Sequence, residues 1–524
     1  MNSGEPKAQT LAAAVATRRH AAWAVAGILS LAAGIDMIAL GQKALWNDEA
    51  LSFYYSVDGV ATAIRTVGFD VHPPLYYTLF ALWLHLGTSP AVMRMFSVAA
   101  MVGATWFVYL ATRRLFNVRT ALLAAVLFAT NPTTVSWAQK ARPYALQTLL
   151  VAIAYWGLVA GFLHPDMRRR WLGEGIVGAI RRRRWEQAAG VDVACLSYVA
   201  GGAAAILTQL PAGFFILGCN VCVGLLVLRN IHAGRRLLLN WSAAQLLLIG
   251  LWAIWFPAML IQYQRHFGAG GINEVYQVDP RQLRAVVMGI LSTPNVWRLA
   301  SVAFAAYLTC FGLGLLRCWR ASEEQTVAPA VALIPLLTCL AGYAFVHPAF
   351  GYVISTFAWL LVPYMGVVAC GISGGRRTIP QLALGILLLA VNLIGLRNYY
   401  AIQYPRLDAP AAFIAASLRP GDGFVLSTNL AARWGIAYYW RQARVPVNDR
   451  YTTLIEDPLL RSPADARGYQ RLWVLLADGG QPMISLDELG ERRIQTVNRH
   501  FDDLRVLRFD RPDAEPGPEP ARGQ

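Results

Sequence analysis

A helical membrane domain of about eleven spans, with a small extracytoplasmic α/β domain after the last of them, is the architecture written into this chain. Three observations point to it. The 524 residues are 56% apolar, with a mean hydropathy of +0.42, well above a soluble globular protein. Apolar stretches of about twenty residues, the length that crosses roughly 30 Å of hydrocarbon, recur along the chain. Arginine clusters fall between alternate stretches.

The stretches cover 21–40, 90–111, 120–138, 143–163, 191–209, 212–228, 237–258, 299–316, 327–346, 350–371 and 379–396. The first does not read as a cleavable signal peptide, because Asp48-Glu49 follows it where a small-residue cleavage site would stand. Basic residues gather at Arg18-Arg19, Arg113-Arg114 with Arg119, Arg168 to Arg170 with Arg181 to Arg184, Arg229 with Arg235-Arg236, Arg317 with Arg320, and Arg376-Arg377. The positive-inside rule then places the N-terminal segment 1–20 in the cytoplasm, and the loop bearing Asp48 and the C-terminal segment outside an inner (plasma) membrane. The net charge of +16 is thereby a topology signal, and nucleic acid is not an expected partner. The Arg168–Arg184 cluster is a topogenic loop that can also meet anionic head groups of membrane lipids.

Seven cysteines, Cys195, Cys219, Cys222, Cys310, Cys318, Cys339 and Cys370, all fall in or beside apolar stretches. Cys219-Asn220-Val221-Cys222 has a redox or metal spacing but no second ligand pair, so small packing residues are the reading, and no structural disulfide is expected.

The first exterior loop runs over 41–89. Leu51 to Val67 is predicted as an amphipathic helix, and Pro74 to Leu86, too short to span, as an interfacial one. Gln262 to Arg298 carries Gly268, Gly270 and Gly271 beside Asn273, Glu274 and Asp279, the composition of a mobile loop that orders on substrate. The chain therefore divides into a cytoplasmic segment 1–20, a transmembrane catalytic domain 21–396, an α/β domain 397–511 and a disordered tail 512–524. Within the α/β domain, helices are expected at Asp408–Leu418 and Ala431–Gln442, and strands at Gly423–Thr428, Arg471–Ala477 and Leu504–Phe509.

A carboxylate pair, Asp48-Glu49, stands where the first stretch leaves the bilayer, with the aromatic, proline-punctuated segment Asp70 to Tyr77 behind it. Charge at that depth is costly unless it serves a site, and chemistry on a lipid-borne substrate is the implication. The order Trp-x-Asp-Glu-Ala-x-Ser (46–52), His-Pro-Pro-Leu-Tyr-Tyr (72–77), Met-Arg-x-x-Ser (93–97), then Asn131-Pro132 and Trp-Ala-Gln-Lys-Ala-Arg-Pro-Tyr-Ala-Leu (137–146) resembles the bacterial glycosyltransferases of the GT-C fold. More narrowly, it resembles the branch related to protein O-mannosyltransferases and the lipid A aminoarabinose transferase. The resemblance implies a membrane enzyme that takes a sugar from a polyprenyl-phosphate carrier outside the cytoplasm, without a nucleotide sugar. The acceptor would be a lipid, a glycan or a protein.

Inverting transfer needs a base for the acceptor proton. Asp48 is the choice, with Glu49 as its orienter or as the base itself. A helix cap or a solvated loop charge is the plain alternative. Departure of a lipid phosphate needs cations or donors at its oxygens. His72 occupies the slot where related aminoarabinose transferases place a basic residue, and Arg94 and Arg142, with Tyr144, join it. The alternative for the arginines is snorkelling or ion pairing with Asp48 or Glu49. Tyr76, Asp70 and His347 are further candidate substrate contacts, while Asp36 reads as a charge paired inside the bundle. Two positions depart from the resemblance: Gln209 stands where relatives often carry a histidine, and Gly351 where a loop often carries an arginine before its tyrosine. No cofactor is expected; Asp48, Glu49 and Asp70 leave a divalent cation open, without a tight ligand spacing behind it. A transporter or flippase is the rival class, although no internal repeat is present. A lipid-linked-sugar binding protein with a decayed site is the third.

Overall fold

The computed structural model describes residues 5–163, 185–229, 231–267, 278–322, 324–373, 379–402, 406–419, 421–426, 433–442, 469–477, 493–502 and 504–512. The Arg168–Arg184 cluster, the glycines at 268–271 and the tail from 513 onward lie outside them. Contacts divide the chain into two compact units, one of Met1–Leu40, Gly59–Thr88 and Val92–Ala401, the other of Gly41–Asp58, Ser89–Ala91 and Ile402–Gln524. The segment 41–89, expected to be an exterior loop, is thus divided between the two units.

The first unit is helical. With α2 (Asn47–Ser56) of the second unit numbered between them in chain order, its elements are α1 (Glu5–Met37), α3 (Val60–Gly68), α4 (Leu75–Trp83), α5 (Pro90–Leu115), α6 (Val118–Thr130), α7 (Pro132–Ala138) and α8 (Pro143–Gly157). There follow α9 (Trp185–Thr208), α10 (Gly213–Arg229), α11 (Ile231–Ala253), α12 (Phe256–Phe267), α13 (Pro280–Leu291), α14 (Ala300–Arg320), α15 (Val327–Phe345), α16 (Phe350–Ser355), α17 (Leu361–Ser373) and α18 (Ile379–Ala401). Among the described residues seven helices are long and apolar enough to cross a membrane, or nine if each of two bent pairs forms one span. The expected eleven is therefore not reproduced. The stretches at 191–209 and 350–371 yield shorter apolar helices, and the second is broken at Thr356.

The break within 118–138 has a local cause. Asn131 precedes Pro132, whose ring disfavours helical geometry in the residue before it, and Asn131 sits extended at φ −72°, ψ 127°. α6 and α7 consequently meet at 60°. The helix expected over 51–67 likewise divides into α2 and α3, because Gly59 turns the chain at φ +94°.

Close backbone approach holds α14 against α17. A Cβ on Gly314 would overlap the Val367 carbonyl, and one on Gly371 the Cys310 carbonyl. Small residues at such a contact let dispersion replace the hydrophobic drive that lipid cannot supply. All seven cysteines are buried thiols among these helix contacts, including both members of the Cys219/Cys222 spacing on α10.

The second unit carries α2 together with α19 (Asp408–Ser417), β1 (Asp422–Leu426), α20 (Arg433–Gln442), β2 (Arg471–Ala477), β3 (Ile494–Phe501) and β4 (Leu504–Asp510). The sheet order is β1-β2-β4-β3, with β1 parallel to β2 and the other pairs antiparallel. β2 is one of the two inner strands, and Leu472, Trp473, Val474 and Leu475 are all fully buried, alternating between two apolar layers. At its start Arg471 Nη2 meets Asp422 Oδ2 at 2.5 Å, and Trp473 Nε1 donates to the same oxygen at 2.9 Å. The buried pair is thereby fully hydrogen-bonded, which such a pair requires.

Replacing Gly314 with Val forces α14 off α17 and should cost about 1–3 kcal/mol by overpacking. Thermal unfolding of the purified protein in detergent should show a clearly lower midpoint for Gly314→Val. Gly224→Ala, where an added Cβ meets nothing within 4 Å, should leave it unchanged.

Candidate functional site

The α6–α7 break decides where Arg142 stands. Carbonyls freed at the end of α6 are taken up locally: Thr134 Oγ1 donates to Phe128 O at 2.6 Å and to Asn131 O at 2.7 Å. The Asn131 Oδ1 accepts from Thr133 N at 2.9 Å, and its Nδ2 donates to Ser292 O at 2.9 Å, just past the end of α13. The short α7 then gives way to a turn in which Arg142 N donates to Lys140 O, and Ser97 Oγ of α5 donates to that same carbonyl at 2.6 Å. Arg142 occupies the N-cap of α8 with Pro143 at its first position. Its guanidinium is 3% exposed and lies 5.9 Å from the Tyr144 ring, which packs on Trp137 at 4.0 Å between centroids.

The segment before α4 brings three of the candidates together. His72 Nε2 is 3.5 Å from Arg142 Nη2. Its Nδ1 is 3.2 Å from Asp70 Oδ2, near enough for an ion pair although off line for a hydrogen bond. The His72 ring meets Tyr77 edge-on at 5.6 Å. Gln262 on α12, buried at 3% exposure, donates through Nε2 to Val67 O at 2.7 Å and His72 O at 3.2 Å, fixing the segment's backbone. The sequence motifs did not contain this residue, whose partners lie 195 and 190 residues away in the chain. Tyr76 belongs to a packed aromatic cluster with Tyr77, Phe80 and Phe96.

Arg94 is also 3% exposed, and its Nη1 donates to Leu40 O at 2.8 Å, beyond the end of α1. Gln139 Nε2 closes two neighbouring carbonyls, Asp36 O and Ile38 O, at 3.0 and 2.7 Å. His72 opens onto a cavity of about 320 Å³ whose other walls include Pro73, Gln209, Pro211, Phe350 and Tyr352. The His347 Nδ1 accepts from Ala349 N at 3.1 Å, which shapes the loop leading to that wall.

The carboxylates belong to the second unit. Asp48 and Glu49 occupy the first turn of α2, where the helix dipole favours negative charge. Glu49 is 1% exposed, and its Oε2 accepts from Trp46 N at 3.0 Å, so this carboxylate closes the helix start. Asp48 is half-buried, and its main-chain carbonyl accepts from Ser52 Oγ at 3.0 Å. α2 lies on α20, where Phe53 meets Tyr438 at 5.2 Å, Tyr54 meets Trp434 at 5.2 Å, and Asn47 Oδ1 accepts from Trp434 N at 3.0 Å. Among the described residues no three His, Cys, Asp or Glu side chains converge as metal ligands would.

Residues 71–223 match the family described as dolichyl-phosphate-mannose-protein mannosyltransferase. No curated protein matches the sequence at a significant level. Among solved structures the chain is similar to ArnT from Cupriavidus metallidurans in the apo state, at 13% identity and a TM-score of 0.60 over 93% of this chain and 97% of that one. It is similar to ArnT bound to undecaprenyl phosphate at 14% identity and a TM-score of 0.55, over 94% and 99%. The archaeal oligosaccharyltransferase AglB from Archaeoglobus fulgidus, in complex with an inhibitory peptide and a dolichol-phosphate, aligns over 86% of this chain and 69% of its own, at 12% identity and a TM-score of 0.50. This chain is thus a membrane protein of the GT-C fold, related through residues 71–223 to the dolichyl-phosphate-mannose-protein mannosyltransferases.

Proposed function

We propose that this protein moves a sugar from a polyprenyl-phosphate-linked donor to an acceptor on the extracytoplasmic side of the membrane, with inversion at the anomeric carbon. The observation that carries the reading is the meeting of His72 with Arg142 at the edge of a cavity inside a helical membrane unit. Two cationic or donor side chains so placed suit the phosphate of a lipid carrier. ArnT in its bound form holds undecaprenyl phosphate, and AglB holds a dolichol-phosphate, which agrees with a donor of that chemistry.

In the transfer, the acceptor oxygen attacks the anomeric carbon from the face opposite the phosphate. The bond from that carbon to the phosphate oxygen breaks, and its electron pair leaves with the polyprenyl phosphate. Arg142 and His72 stabilise the charge that develops on the leaving oxygens, with Arg94 and Tyr144 supporting that side. Asp48 takes the acceptor proton, and Glu49, committed to the start of α2, holds the turn that presents it. Asp70 sets the orientation of His72 from the other side of the ring. Where the acceptor atom is a phosphate oxygen, no proton has to be removed and Asp48 orients it instead. Lipid, glycan and protein acceptors all fit this scheme.

Mass spectrometry of envelope glycolipids and glycoproteins from a deletion strain should reveal one missing glycan substituent. Wild-type protein should restore it, and Asp48→Asn, inserted in the membrane at the same level, should restore it about 10²- to 10⁴-fold more slowly. Full restoration by Asp48→Asn would remove this residue as the base. Arg142→Gln should raise the donor KM about 10- to 100-fold, the effect of losing a charge-assisted hydrogen bond. An unchanged donor KM would reject its phosphate role. His72 and Asp70 are only partly buried, so Asp70→Asn should shift the thermal midpoint by less than about 1 kcal/mol in stability while slowing transfer.

A further inference from the structure

Away from His72, the first unit holds a trough of about 1200 Å³ lined by α1, the last turns of α5 and the start of α6. Its origin is the composition of α1. Val25 packs with Ala121 and Ala125 of α6 and with Tyr109 of α5. Beside that contact Ala22, Ala24 and Ala26 are exposed, and their methyl groups are too short to fill the space next to them. α1 is also the most exposed of the seven long apolar helices. A protein interior closes gaps of this size, so one that opens along a lipid-facing helix calls for an occupant from outside the chain.

The two ends of the trough differ in chemistry. Arg113, in the last turn of α5, and His20 line the same end. Arg113 is exposed and, among the described residues, forms no ion pair. Residues 19–35 and 90–135 contain no Asp or Glu, so these three elements supply that end with positive charge alone. Beyond it the lining is apolar. Trp106 and Tyr109 stack at 5.7 Å on the face of α5 that also bears Arg113, and Ala22, Ala26 and Leu29 line the α1 side. From His20 to Leu29 α1 rises about 14 Å, close to half of the ~30 Å hydrocarbon core. The trough is therefore one leaflet deep. Its volume also exceeds the roughly 300–1,000 Å³ of small-molecule sites. Those dimensions fit an acyl chain, and the basic end fits its phosphate. A zwitterionic head group would bring an ammonium to elements that offer it no carboxylate, which favours a head group of net negative charge.

We infer that this trough binds one anionic glycerophospholipid, its phosphate at Arg113 and His20 and an acyl chain against Trp106, Tyr109 and the alanines of α1. The lipid would fill the gap between α1 and α5, and the inference does not depend on the transfer reaction proposed above. It is tested by titrating the purified full-length protein in detergent with phosphatidylglycerol or phosphatidylcholine and counting adducts by native mass spectrometry. Phosphatidylglycerol should bind about 5- to 10-fold more tightly, and Arg113→Gln should lose about 5-fold toward it alone. Arg114→Gln, an exposed neighbour outside the lining, should keep wild-type affinity. Filling the trough with Ala22→Trp and Ala26→Trp together should abolish the phosphatidylglycerol adduct and leave the lipid-free thermal midpoint unchanged. Equal affinity for the two lipids overturns the inference, as does wild-type affinity in Arg113→Gln or in the filled variant. Equal losses in Arg113→Gln and Arg114→Gln would show diffuse surface attraction and overturn it too. So would a dimer that excludes the lipid, since a second copy would then cover the trough.

Discussion

Hydrocarbon offers no water to an unpaired amide, so a helix that breaks within a membrane domain must be closed by the protein itself. The Asn131-Pro132 break is closed in this way. Proline ends α6, Thr134 Oγ1 adds a second bond to the Phe128 and Asn131 carbonyls at the break, and the Asn131 amide bonds α7 through one end and the chain after α13 through the other. Other side chains serve the same irregular region after α13: Thr133 donates to Gly289 O, Tyr364 to Leu291 O and Asn398 to Asn295 O. These donors satisfy backbone groups around the 60° bend, and the chain after it leads through α7 to Arg142, 3.5 Å from His72.

Charge obeys a related constraint. A guanidinium at 3% exposure needs partners, and Arg94 finds one in the Leu40 carbonyl, past the C-terminal end of α1, where the helix dipole also favours a cation. Asp48 and Glu49 occupy the opposite kind of position, the N-terminal turn of α2. Helix ends of the appropriate sign therefore offset part of the desolvation of these buried charges. Glu49 shows how the two roles separate. Its oxygen is tied to Trp46 N, which makes it a fixed point for the turn and leaves proton transfer to its neighbour in the proposed mechanism.

Much of this was legible in the residues because it follows from local chemistry. Long apolar runs became helices close to their expected limits, as at Pro90–Leu115 and Ile379–Ala401. In the C-terminal part, the strands at Arg471–Ala477 and Leu504–Asp510 carry alternating apolar side chains and were readable. β3 was not, since Ile494–Phe501 is an exposed edge strand whose polar residues show no buried face. The count of eleven spans is not confirmed among the described residues, and hydropathy did not register the break at Thr356. Gln262 escaped notice for a different reason: its role depends on backbone carbonyls nearly 200 residues away, a relation that no local pattern carries.

The two departures from the family resemblance have a shared consequence. Gln209 replaces a histidine common in relatives and lines the cavity, while Gly351 replaces an arginine in the loop that forms the opposite wall. A Cβ at Gly351 would already lie 3.0 Å from Val278 and 3.2 Å from Tyr343, so the space an arginine would need is filled by apolar groups. Both departures replace a basic or titratable side chain of the resemblance with a neutral residue at or beside the cavity. Among the described residues, the cavity lining holds His72, 3.5 Å from Arg142, and no carboxylate, lysine or arginine. In the proposed reaction, charge stabilisation at the departing phosphate falls to Arg142 and its neighbour His72.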